Sequence, residues 1–369
     1  MKKIGILTLV SADNCGSQLQ AFALRYILKE QMHFDAELIN FHPAFARRMY
    51  KLLHLSYFKH LLNFLCMLPA LVRQQKSYDL FRKQYLKLES KDKLFDAVAL
   101  YNSADKYRQI IVGSDQVWNV NMADFDEAYF LCGYNGCKVT YAASLGGGEK
   151  IIVPEKLKQF KLQINQFQNI SVREPQGKGV LQKLIDNNVR VDVDPTLLVP
   201  EEKWIDLAGE SIVNGEYIFY YSYNYGDEDL NILVQKAAKK LNLQVYVINA
   251  SRWVAKNPRK YDFHLALQEG PLAFLSLMKH AKFVFVQSLH GSIFAYIFKS
   301  NFWFLNNREN DVLDQRSENI LNLLGKRDRT IRPNSFEGID LSKPCVYGEN
   351  HKLHAEKMKS LEYLKKVIN

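Results

Sequence analysis

The stretch that most constrains this chain is Phe283–Phe298, FVFVQSLHGSIFAYIF. Phe283–Val286 is unbroken apolar sequence, the mark of a strand buried on both faces. Ser288-Leu289-His290-Gly291-Ser292 then supplies a polar, glycine-containing turn. Ile293–Phe298 returns to apolar residues without a breaker, as a helix packed back onto the strand requires. A strand, a tight turn and a helix start in that order put the turn at the carboxyl edge of a sheet, where open α/β folds bind ligands. The helix start offers backbone N–H groups and a partial positive charge, which together favour anions. His290 is the one titratable group in the turn. Taken alone, SLHGS equally suits a capped helix start whose histidine hydrogen-bonds locally, so the rest of the chain has to decide.

The same strand–turn–helix unit opens the sequence. Ile4–Val10 is apolar, Ser11–Ser17 is a turn, and Gln18–Lys29 has an apolar face at Leu19, Ala23, Tyr26 and Ile27. No GxGxxG is present, so a dinucleotide fingerprint is absent. Further strands are expected at Glu37–Phe41, Gln109–Val112, Val139–Ser144, Ile170–Val172 and Val189–Val193. Pro200–Asn214 is expected to cross to a second series. That series has strands at Tyr217–Tyr221, Val245–Asn249 and Trp303–Asn306, and helices at Asp227–Leu241, Leu272–His280 and Ser317–Leu324. A long charged helix at Glu349–Ile368 ends the chain. The alternation predicts an α/β fold with two Rossmann-like, parallel-sheet domains facing a cleft. Residues 1–200 form the N-terminal one, and 201–369 carry the SLHGS turn and the terminal helix.

Residues 42 to about 95 break the pattern and are expected to be a helical insert in the N-terminal domain. Between 42 and 87 there are nine basic residues (Arg47, Arg48, Lys51, Lys59, Arg73, Lys76, Arg82, Lys83, Lys87) and one acid, Asp79. Leu52, Leu53, Leu55, Phe58, Leu61, Leu62 and Leu65 fall at helical spacing among them. Such a segment is either a subdomain with a solvated basic face or a surface for anionic lipid or a lipid-linked substrate. The whole chain, with 49 basic and 39 acidic residues, carries a net charge of +10 and attracts anions.

Five cysteines are few and odd in number, which argues against a disulfide framework and for reduced thiols. Cys132 and Cys137 have no second pair, so no metal site is expected. The apolar run after Met1-Lys2-Lys3 is seven residues long, too short for a secretory signal. No run approaches the ~18 residues that span a bilayer. The expectation is a cytoplasmic protein, with peripheral contact at the inner face of the membrane left open.

Several loops at predicted strand ends carry polar residues. Asp115 lies in Gly113–Asn119, where a carboxylate either binds a substrate or caps a turn. Gly146, Gly147 and Gly148 allow close approach of a ligand or a helix. Arg173 follows a strand, where it can fork onto a carboxylate or phosphate, or pair internally with Glu174 or an aspartate. Trp118, Tyr141, Tyr221 and Tyr223 are candidates to stack on a sugar ring, with core packing as the plainer role.

Taken together, the segments Ile6–Leu24, Val112–Asn119, Thr140–Gly147, Ile170–Glu174, Asp192–Val199, Phe283–Phe298 and Arg316–Gly325 resemble the polysaccharide pyruvyl transferase family, in the family's order. No motif covers the basic insert. The resemblance implies a GT-B-like fold and transfer of an enolpyruvyl group from phosphoenolpyruvate to a sugar, giving a pyruvate ketal in capsule, exopolysaccharide or wall-polymer synthesis. It implies His290 as the family's histidine and Arg173 as the arginine of its VR motif. Some members have an arginine two residues before the histidine. Here that position is Ser288, so Arg308 or Arg316 would have to supply the missing charge.

The chemistry then asks for fixed positive charge and directed donors around a carboxylate and a phosphate. Arg173, Ser288, Gly291, Ser292, Arg308 and Arg316 are the donor-side candidates. His290, with a reference pKa of about 6.5, suits proton transfer near neutrality, and Asp115 joins it as a catalytic candidate. Asn14, Gly16, Gln116 and Trp118 are the acceptor-side candidates. Phosphoenolpyruvate is the donor substrate, and no cofactor is expected. A nucleotide-sugar glycosyltransferase of GT-B type is the first alternative. A basic module binding membrane or nucleic acid is the second, although no nucleic-acid motif appears and no nucleic-acid partner is expected.

Overall fold

The computed structural model describes residues 3–50, 60–146, 157–222, 225–308 and 313–368. Packing divides the chain into two units, Met1–Lys51 with Arg82–Val199 and His351–Asn369, and Leu52–Phe81 with Pro200–Asn350.

The first unit has a parallel sheet of β1 (Lys3–Leu7), β2 (Ala36–Leu38), β3 (Tyr107–Val112) and β4 (Cys137–Thr140), in the order β2-β1-β3-β4. Parallel strands need crossovers, and the helix Cys15–Tyr26 is the one between β1 and β2. β5 (Ile170–Val172) and β6 (Val189–Val191) pair with each other. Isolated parallel bridges at Val139–Asn169 and Ala143–Val172 carry the ladder on from β4 to β5. β3, an interior strand of the sheet, is buried almost throughout. Trp118, Phe130 and Phe167 pack into the same core. Because β2 and β3 lie on opposite sides of β1, the strand order reverses between β1 and β3. The loops after those two strands therefore meet at a topological switch point.

The second unit has β7 (Tyr217–Ser222), β8 (Gln244–Val247), β9 (Phe263–Leu265), β10 (Phe283–Gln287), β11 (Phe302–Leu305) and β12 (Thr330–Ile331), in the order β12-β11-β10-β7-β8-β9. Every pairing is parallel. The order reverses between β7 and β10, so the SLHGS turn leaves the sheet at its switch point. The two short strands β9 and β12 and the helix Glu201–Ala208 go beyond the sequence expectation. That helix lies inside the expected crossing segment, and its Trp204 packs edge-on against Phe294 with ring centroids 4.9 Å apart.

Two boundaries need correction. The terminal helix, His351–Val367, belongs to the first unit and not to the second. Its Tyr363 hydroxyl donates to the Thr140 carbonyl at 2.9 Å, and Gln109 donates to the Val367 carbonyl at 2.7 Å. Sequence position carries no information about which sheet a final helix returns to. The insert is likewise not a subdomain of the N-terminal half. Its long helix, Leu61–Gln84, has Phe64, Ala70 and Leu71 packed on Ala250 and Val254, and residues up to Phe81 group with the second unit. Of the residues at helical spacing, those from 52 to 58 lie outside the described residues. Among the described residues no helix is long and apolar enough to cross a membrane.

Candidate functional site

The switch-point loops of the first unit are tied together through Asp115. Gly113 has φ +116, and a Cβ there would lie 2.3 Å from the Tyr141 carbonyl oxygen, so only glycine fits. Asp115 follows with φ +70. Its Oδ2 accepts from the Ser17 hydroxyl at 2.6 Å, and its Oδ1 accepts from the Gln116 amide at 2.9 Å. The Arg173 Nη2 lies 3.9 Å from the same Oδ1.

Arg173 is the centre of this network. Its Nη1 donates to Asp194 Oδ2 at 2.9 Å, and its Nε donates to Glu174 Oε1 at 3.1 Å. The Ser144 hydroxyl donates to the same Glu174 oxygen at 2.7 Å, and Thr196 holds the other Asp194 oxygen through its amide and hydroxyl. The Arg173 side chain is only 5% exposed. Burial works against its charge, but Glu174, Asp194 and Asp115 more than offset this and hold its pKa above the ordinary arginine value.

Arg173, a donor-side candidate, is paired with three carboxylates of its own unit, the internal pairing that its position after a strand also allows. Asp115, a catalytic candidate, has both of its oxygens engaged inside the loop network. Trp118 is fully buried, 5.2 Å from Phe167 and 6.0 Å from Phe130 between ring centroids, so it is core and not a sugar platform. Tyr141 is buried with its hydroxyl on the Val193 carbonyl, and Tyr221 packs on Phe274 at 4.6 Å. Tyr223, Gly147 and Gly148 lie outside the described residues. Gly16 is buried in the first turn of the helix Cys15–Tyr26, whose N-cap is Asn14; the Asn14 side chain accepts from the Ser17 amide at 3.1 Å. Asn14 and Gln116 remain half-buried at the loop edge.

Sequence reasoning missed Arg82, which it placed among surface charges. Arg82 is buried; its Nε donates to the Val10 carbonyl at 3.0 Å, its Nη2 to the Ser11 carbonyl at 3.1 Å, and it pairs with Asp13. It therefore holds the loop after β1. No local signal marks this, because the partners lie about seventy residues away.

In the second unit, Ser288 caps the helix Leu289–Ile297, with its hydroxyl accepting from the Gly291 amide at 2.9 Å. The Ser292 amide donates to the Ser288 carbonyl at 3.0 Å and the Ser292 hydroxyl to the same oxygen at 3.1 Å. Gly291 and Ser292, expected to donate to an anion, thus use these groups in the cap. His290 sits half-buried in the first helical turn. Beside it, Gln287 at the end of β10 accepts from the Ser222 hydroxyl at the end of β7, at 2.8 Å. β11 runs parallel on the other side of β10, with Val286 opposite Phe304. The chain after β11 therefore leaves the same edge as the SLHGS turn, and it carries the exposed Arg308, whose amide donates to Asn306. Arg316 lies near the start of the helix Gln315–Leu324, its Nε 3.8 Å from the capping Asp314, which leaves it less suited than Arg308 to meet a second anion. His290 and Arg308 belong to one unit, and Asp115 and Arg173 to the other. Among the described residues no cluster of His, Cys, Asp and Glu is arranged to hold a metal ion.

The sequence matches the family model for polysaccharide pyruvyl transferase over residues 14–309. No curated protein matches the sequence. Among solved structures, the chain is similar to the UDP-GlcNAc 2-epimerase of Methanocaldococcus jannaschii at 13% identity, covering 100% of this chain and 99% of that one with a TM-score of 0.55. The same enzyme in complex with UDP-GlcNAc and UDP aligns at 13% identity over 99% of this chain and 100% of that one, with a TM-score of 0.59. The Neisseria meningitidis UDP-GlcNAc 2-epimerase bound to UDP-GlcNAc gives 12% identity, 99% and 100% coverage and a TM-score of 0.51. At such identities the likeness speaks to the fold alone, an α/β chain of GT-B type.

Proposed function

This chain belongs to the polysaccharide pyruvyl transferase family, and from that premise we propose that it moves the enolpyruvyl group of phosphoenolpyruvate onto a sugar of a bacterial surface polysaccharide or its lipid-linked precursor. The observation that carries the proposal is the position of His290, in the first turn of a helix at the switch point of the second sheet, with Arg308 leaving the adjacent strand.

The reaction needs a proton at the vinyl CH₂ carbon of the donor as a sugar hydroxyl attacks C2. The C2–O bond to phosphate then breaks, and addition of a second hydroxyl to C2 closes the ketal. One group that gives and takes a proton near neutrality serves each step, and His290 is assigned that role. The helix start supplies partial positive charge toward the donor phosphate or carboxylate, and Arg308 supplies the full charge that Ser288 lacks. Arg173 is assigned no contact with the donor. With Asp115 it positions the loops of the first unit.

The test is phosphate release from phosphoenolpyruvate with a panel of galactosyl, mannosyl and glucosaminyl acceptors. Acceptor-dependent phosphate release, with the ketal recovered, supports the assignment. No release with any acceptor, together with a melting point raised by UDP-sugars and not by phosphoenolpyruvate, would favour a nucleotide-sugar enzyme on the same fold.

A further inference from the structure

The helix Leu61–Gln84 has an outer face that a monomeric protein in water does not need. Its inner face is fixed to the second unit. Phe64, Ala70 and Leu71 pack on Ala250 and Val254. Gln74 exchanges hydrogen bonds with Ser251, donating to its hydroxyl at 3.1 Å and accepting from its amide at 2.9 Å. The opposite side is therefore held outward. Leu62, Leu65, Cys66, Pro69, Arg73, Lys76 and Leu80 recur at spacings of one to four residues along that outer side and form one stripe.

The stripe has two halves. Toward the helix start it is apolar: Leu61 is 49% exposed, Leu62 79% and Leu65 54%. Farther along it is basic, through the exposed Arg73 and Lys76, with Leu80 beyond them at 54%. A solvated basic face would have no use for exposed leucines in succession, and an exposed apolar cluster beside charge marks an interaction site. The basic half decides which. Net positive charge next to an apolar patch, with Asp79 the one exposed acid on the helix, matches a layer with an anionic surface above an apolar interior.

We propose that the outer stripe of this helix docks the protein on an anionic phospholipid bilayer, with Leu61, Leu62 and Leu65 entering the headgroup–acyl boundary and Arg73 and Lys76 meeting the phosphates. The proposal does not depend on the reaction assigned above, since it rests on side chains remote in sequence from the SLHGS turn.

The experiment is co-sedimentation of the full chain with vesicles of phosphatidylcholine alone or mixed with phosphatidylglycerol, at low and high salt. The wild type is expected to sediment with the mixed vesicles only, and less at high salt. Arg73→Glu with Lys76→Glu should weaken this by at least about thirtyfold, the worth of two basic side chains near an anionic surface. Leu62→Glu with Leu65→Glu should reduce it to below about a tenth. All four side chains are exposed, so melting points and phosphate release with a soluble acceptor should not move. Absence of wild-type binding to the mixed vesicles overturns the proposal, as does binding unchanged by either double substitution. A wild-type dimer that Leu62→Glu with Leu65→Glu dissolves also overturns it, in favour of a second copy of the chain as the occupant.

Discussion

The guanidinium of Arg173 donates from Nη1 to Oδ2 of Asp194 at 2.9 Å, joining the residue that follows β5 to one three positions past β6. With Glu174 and Asp115 this makes one buried positive charge shared by three carboxylates, each also held by a hydroxyl or a backbone amide. Such an arrangement is costly to break from one side, because the remaining charges stay buried without compensation.

Arg173→Ala is accordingly expected to destabilise the first unit by about 3–5 kcal/mol, and Arg173→Lys by less. Urea unfolding measures both. A variant that unfolds at the wild-type midpoint yet no longer turns over phosphoenolpyruvate would return Arg173 to the donor site.

His290→Ala should leave the fold intact, because the side chain is half-buried and the cap of its helix is made by Ser288. Turnover should drop by about 10²–10⁴-fold, the usual worth of a general acid or base. Wild-type phosphate release from the purified variant would remove the histidine from the mechanism.

Ser288→Ala removes the hydroxyl that accepts from the Gly291 amide. Loss of an N-cap costs about 1 kcal/mol, so a modest drop in melting temperature is expected. The turnover number should also fall, since the cap fixes the turn that carries His290. Unchanged kinetics in the folded variant would show that the cap does not position the histidine.

Gly113→Ala is expected to cost more than about 1 kcal/mol from its positive φ alone. The added Cβ would also meet a rigid backbone oxygen, at 2.3 Å, and not a side chain able to move. Denaturant titration should show the loss, and a neutral result would mean the loop after β3 can shift.

Acid should destabilise the first unit through His42. Burial, then the charges of Arg82, Lys93 and Arg47, push its pKa down to about 3 from 6.5, and its Nε2 lies 2.8 Å from Asn40 Oδ1. The folded chain keeps the ring neutral while the unfolded chain takes up a proton below 6.5. This contribution is therefore complete above pH 6.5 and is lost as pH falls from there toward 3. Melting temperatures across that window should fall more steeply for the wild type than for His42→Gln. Parallel curves would show that the ring is not buried neutral.

Much of the architecture was legible because apolar runs, polar turns and helix starts are local features. FVFVQSLHGSIFAYIF gave strand, cap and helix within a residue or two, and the order of the motifs identified the family and its α/β, GT-B-type fold. The same local signals put His290 at a helix start on a sheet edge. They could not say which polar residues already have partners. Arg173 and Arg308 both follow strands and look alike in the sequence. Only folding brings three carboxylates onto the first and leaves the second exposed, because β5 and β6 set Asp194 beside Arg173 across twenty-one residues. Arg82 and Lys76 sit within one basic helix, yet Arg82 turns inward to hold the loop after β1 while Lys76 stays outside. The terminal helix returned to the first sheet for the same reason: pairing over more than two hundred residues depends on which faces are left to cover, and that is a property of the assembled sheets.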